Sequence, residues 1–153
     1  MFTLVKINPV FFWVFSFCFS AHLWGQQFNL DKQQVALQGY DVVSYFQENK
    51  AVLGNNTLTS EFKGAFYHFS SVENQAQFDA NPEHFIPQYG GWCAYAMSKG
   101  KKVSINPEAF LIQENRLYFF YQTRWTNTLE KWLVQPENFQ VQADNQWDKM
   151  AKE

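Results

Sequence analysis

Cysteine is almost absent from this chain: of 153 residues, only Cys18 and Cys93 carry a thiol. Arginine is nearly as scarce, at Arg116 and Arg124 alone, and the lysines are scattered without forming a run. Without a basic patch, nucleic acid and anionic membrane surfaces are poor partners. No apolar run is long enough to span a bilayer as a helix; the longest, residues 9–19, falls well short of the roughly 20 residues needed. No internal repeat and no low-complexity tract is evident, which argues against a solenoid or a disordered linker.

What is present at the start has the layout of a secretory signal. Lys6 gives a positive beginning, residues 9–19 an apolar stretch, and Ser20, Ala21 and Gly25 the small residues near a cut. The expected cut follows Gly25, despite Leu23 at the third position before it. Cys18 is preceded by Phe17, which does not fit a lipoprotein site. Removing residues 1–25 from the 153 leaves 128, with lysine plus arginine falling from 12 to 11 against 14 acidic residues, a net charge of about −3. The expectation is an exported protein, periplasmic or secreted, with no stable membrane span after cleavage. Cys93 is then the one remaining cysteine, so no internal disulfide can form in an oxidising compartment. Two readings of it are open. It is a small buried hydrophobe, or it is kept for reactivity, metal or an intermolecular bond.

Residues 26–34 read as a polar leader and residues 35–150 as one domain. Asp41 can cap a short helix over residues 41–47. Residues 58–69 form an expected hairpin around Lys63-Gly64, and residues 110–121 a second around Glu114-Asn115. Ser70 with Glu73 suggests a capping box for a helix to about Ala80, burying Val72, Ala76 and Phe78. Asn81-Pro82 starts a further turn, residues 92–99 a third short helix, and Asn106-Pro107 a turn. Thr126 or Asn127 caps a helix with Leu129, Trp132 and Leu133 on one stripe, and Pro136 opens the last helix. Trp92, Trp125, Trp132 and Trp147 are expected in the core. The fold class is α+β: a small single domain of two antiparallel hairpins with several short helices.

The stretch from Tyr67 to Phe85, YHFSSVENQAQFDANPEHF, resembles the YHS domain. Gly39-Tyr40-Asp41, Asn81-Pro82-Glu83, Gly90-Gly91-x-Cys93-Ala94 and Ala143-Asp144 with Trp147 extend the resemblance over Val35 to Trp147. It is closest to the exported, stand-alone branch, some members of which carry selenocysteine at the position of Cys93. The resemblance implies metal handling in some relatives, through two cysteines. Here those positions hold Ser70 and Asn74, poor ligands for soft metals. Ser70 reads instead as a helix cap.

Cys93 is therefore the candidate centre, catalytic or metal-binding. It follows a glycine pair and begins a helix, where N–H groups and the helix dipole favour a thiolate. Gly90, Gly91 and Tyr89 are candidates for holding a cofactor, because glycine lets backbone approach a ligand closely. Met97, four residues on, and His84 are candidate metal ligands beside Cys93, for copper, zinc or iron. His68 alternates with Tyr67 and Phe69 and is expected to face away from them. Three functions are compatible with these residues. One is a binding module for a metal ion or small ligand at Cys93. Another is a single-cysteine redox protein with a redox or envelope partner. The third is a non-catalytic interaction domain; on balance the chain is not expected to be an enzyme.

Overall fold

The computed structural model describes residues 27–150 and Lys152. The expected signal segment, including Cys18 and the cut after Gly25, lies outside the described residues. Helix α1 (Val42–Glu48) starts where Asp41 predicts: the Asp41 carboxylate accepts from the N–H groups of Val43 at 2.9 Å and Ser44 at 3.4 Å. Strands β1 (Asn55–Phe62) and β2 (Ala65–Phe69) pair antiparallel, and β3 (Asn106–Gln113) pairs with β4 (Arg116–Phe120). Both hairpins close through two residues of positive φ, Lys63 (50°) with Gly64 (77°) and Glu114 (51°) with Asn115 (60°). That geometry matches the right-handed twist of the strands it joins. Five more helices complete the α+β domain: α2 (Val72–Ala80), α3 (Pro82–Phe85), α4 (Ala94–Met97), α5 (Thr128–Leu133) and α6 (Pro136–Met150). No helix among the described residues is long and apolar enough to cross a membrane.

Several local expectations are corrected. Ser71, not Ser70, caps α2, accepting from Asn74 N–H at 3.1 Å. That helix buries Asn74 and Phe78 and leaves Val72 and Ala76 in solvent, because its inner face meets a polar group as well as rings. Helix α4 is a single turn rather than the whole of residues 92–99. Asn106 belongs to β3, ahead of a bulge, rather than to a turn. Trp125 is 85% exposed, next to Arg124 in the loop between β4 and α5.

The expectation of no repeat is also overturned, because the chain builds one unit twice. Adding 51 to every partner in the β1–β2 ladder, from Asn55↔Phe69 to Phe62↔Ala65, reproduces the β3–β4 ladder from Asn106↔Phe120 to Gln113↔Arg116, bulge included. Ahead of each hairpin lies a left-handed turn of three residues, Leu37, Gln38 and Gly39 at φ 54°, 56° and 84°, then Tyr89, Gly90 and Gly91 at 54°, 60° and 80°. Left-handed conformation costs a non-glycine residue about 1–2 kcal/mol, so its repetition at Leu37, Gln38 and Tyr89 is a built feature. Two residues past each turn, after Tyr40 and Trp92, Asp41 and Cys93 start α1 and α4, and their N–H groups donate to Val52 and Val103 at 2.8 and 3.0 Å.

Behind the hairpins the cores repeat as well. Phe78 meets Tyr67, Phe69 and Phe85 at 4.8, 5.1 and 6.3 Å between ring centroids; Trp132 meets Tyr118, Phe120 and Phe139 at 5.7, 5.6 and 6.2 Å. Asn81-Pro82-Glu83-His84-Phe85 corresponds to Gln135-Pro136-Glu137-Asn138-Phe139. Each unit has its own apolar cluster, and Cys93, Leu117 and Phe119 from the second unit pack into the first.

Candidate functional site

Cys93 lies on that seam with none of its surface exposed. Its sulfur is 3.4 Å from Thr128 Oγ1, and Thr128 Oγ1 donates its hydrogen to the Tyr121 carbonyl at 2.7 Å. The threonine has only one hydrogen to give. It therefore meets Cys93 as an acceptor, and the thiol is the donor. With α4 reduced to one turn, little of the helix-end field expected to favour a thiolate is available.

The glycine pair beside it is covered by the leader. Asn29 donates from its backbone N–H to Gly90 O at 2.8 Å and from Nδ2 to Gly91 O at 3.1 Å, while Trp92 Nε1 donates to Gln27 O at 2.9 Å. A Cβ on Gly90 would fall 2.4 Å from Gln27 O, so the close approach that glycine permits is made by the protein's own chain. Tyr89 is buried and donates to Asp144 Oδ1 at 2.8 Å, tying the turn to α6; burial and Asp144 push its phenol pKa up. Gly90, Gly91 and Tyr89 thus hold the leader and α6, and Tyr89 and Gly90 also line a cleft of about 300 Å³ together with Gln27, Phe28 and Trp147.

The expected metal set does not converge. Met97 is fully buried in the second apolar cluster, whereas Cys93 belongs to the first. His84 is half-buried on α3 against the rings of Phe46 and Phe85, with Asn115 Nδ2 3.4 Å from its Nδ1. Among the described residues no three His, Cys, Asp or Glu side chains lie close enough to hold a metal ion. Among the described residues, copper, zinc or iron thus finds no such three-residue group at Cys93.

Ser70 and Asn74, at the positions of the relatives' thiols, do converge, and on Asp41. Asp41 Oδ2 accepts from Ser70 N–H at 2.8 Å, Ser70 Oγ at 2.6 Å and Asn74 Nδ2 at 2.7 Å. With the two bonds to α1 on Oδ1, one fully buried carboxylate receives five hydrogen bonds and joins α1, β2 and α2. Asp41 is read from the sequence as a cap only; its second oxygen serves partners 29 and 33 residues away. The repeat relates this junction to the one at Cys93. Asp41 and Cys93 both start the helix after a left-handed turn, and Asn74 and Thr128 stand four residues before Phe78 and Trp132.

A larger cleft among the described residues lies elsewhere. A cleft of about 740 Å³ opens over His68, with Asp31, Gln33, Gln38, Asn55 and Asn56 around it. As the alternation predicts, His68 points away from the core that takes Tyr67 and Phe69. The β1 entry crosses His68 so closely that a Cβ on Gly54 would fall 2.6 Å from the His68 carbonyl carbon. No protein-family model, curated protein or solved structure matches the chain.

Proposed function

We propose that this chain is an exported, non-catalytic binding module of the YHS type, in which Cys93 is a structural joint and ligand is taken at the cleft over His68. One observation carries the reading: Cys93–Thr128 occupies the place in the second unit that Asp41–Asn74 occupies in the first. A contact between a helix start and the helix after the hairpin is what each unit needs to close. In neither unit does it face a cleft, since Asp41 and Cys93 both have no exposed surface. Redox use of Cys93 would require a partner's sulfur to reach it, and burial opposes that.

The test compares thiol labelling of the folded and denatured protein. Labelling that waits on opening of the fold should be slowed about a thousandfold or more, given a domain stability of at least ~5 kcal/mol. Metal content should be equal in the wild type and Cys93→Ala. Fast labelling of the folded chain, or metal lost with the thiol, would return Cys93 to a chemical role.

A further inference from the structure

We infer that the cleft over His68 recognises a small neutral polyhydroxylated ligand, a saccharide or sugar-like polyol; this rests on the binding-module reading above and names its ligand class. The repeat supplies the first argument. The residue matching His68 in the second unit is Phe119, wholly buried in the apolar cluster. In the first unit the same register position holds a half-buried imidazole at the cleft, with no hydrogen bond to any described residue. Polar groups placed there without a protein partner are available to a ligand.

The chemistry around it selects the class. No lysine or arginine lines the cleft, so an anion would lack a counter-charge, and one imidazole with one carboxylate is too few ligands for a metal. The carboxamides are already oriented. Gln38 gives its Nε2 to Ile105 O at 2.9 Å, which leaves Oε1 as an acceptor. Asn55 Oδ1 accepts from Thr57 N–H at 3.0 Å and Thr57 Oγ1 at 2.9 Å, which leaves Nδ2 as a donor. Asp31 Oδ1 is held by the N–H groups of Gln33 and Val35, leaving Oδ2. Fixed donors and acceptors side by side suit hydroxyl groups, which do both. Leu53, 64% exposed on the cleft wall, offers an apolar surface to ring C–H groups.

Heteronuclear NMR titration of the purified protein with glucose, N-acetylglucosamine and glycerol, and in parallel with inorganic phosphate and Zn(II), tests this. At least one hydroxylated probe should shift the His68 ring and Asn55 side-chain amide signals saturably in the millimolar range. His68→Ala should weaken that binding about tenfold, as loss of one ligand hydrogen bond does. Asn56→Ala, on the exposed rim, should weaken it without risk to folding. Shifts from phosphate or Zn(II) alone would overturn the ligand class and leave the cleft as a binding site. No shift at His68 from any probe would overturn both. A saturable shift that neither variant weakens would place the sugar elsewhere and refute the proposal.

Discussion

Replacing Asp41 by Asn separates a bridging carboxylate from a simple helix cap. A carboxylate offers two acceptor oxygens, whereas a carboxamide offers one and puts an NH2 in the other place. If the remaining oxygen keeps Val43 and Ser44, the NH2 confronts Ser70 N–H and Asn74 Nδ2; if it keeps those, the NH2 confronts the start of α1. Losing the cap costs about 1 kcal/mol. Leaving the buried Asn74 amide without its partner costs about 2 kcal/mol, while Ser70, which is exposed, can turn to water. Asp41→Ala, losing both, should cost about 3–4 kcal/mol, and Asp41→Asn about 2–3 kcal/mol with the charge-assisted share also gone. Cys93→Ala, at the matching junction, removes one buried atom and a weak S–H donor, for about 1–2 kcal/mol. Urea unfolding followed by tryptophan fluorescence, with the slope checked for constancy, gives all three. Asp41→Asn within about 0.5 kcal/mol of wild type, or Cys93→Ala the most damaging, would refute the reasoning.

Ser70→Cys with Asn74→Cys should create a metal centre with Asp41 as third ligand, read as thiolate-to-Co(II) absorption absent from the wild type; no absorption would mean that the three side chains do not meet as described. Burial raises the phenol pKa values of Tyr45 and Tyr67, and burial with Asp144 raises that of Tyr89. Above about pH 10 the unfolded chain releases these protons while the folded chain keeps them, so stability should fall with rising pH, by up to ~4 kcal/mol per pH unit for three phenols, and be indifferent to them below that. Guanidinium midpoints from about pH 9 to about pH 11, with phenolate absorbance alongside, check this; all seven tyrosines ionising near pH 10 in the intact fold would contradict it. Gly90→Ala should expel Gln27 and expose Asn29 N–H to hydrogen exchange while the cores stay protected; unchanged protection of Asn29 would sink the account of the leader.

Residues whose role is set by their near neighbours in sequence were legible. Lys63-Gly64 and Glu114-Asn115 announce hairpins because a two-residue turn depends on its own φ angles. Asp41 and Asn127 announce helix starts because a cap reaches only two or three residues ahead. What stayed hidden depends on partners far along the chain. The second oxygen of Asp41, the leader over Gly90 and the donor state of Cys93 each need a contact 29 or more residues away. The repeat was hidden for another reason. Packing conserves the size and place of side chains rather than their identity, so Phe78 matches Trp132, Asn74 matches Thr128 and Asp41 matches Cys93 with little in common as letters. The matched turns also explain where the leader settles. At the second, Gly90 lets Gln27 O come within 2.4 Å of where a Cβ would stand. At the first, the corresponding residue is Gln38, whose Cβ fills that space, so the same segment can cross only the second turn. The first turn stays open beside His68 in a cleft of about 740 Å³, whereas at the second turn the leader itself forms part of the wall of a smaller one, about 300 Å³, so the asymmetry between two otherwise matching units sets the size of the space at each turn.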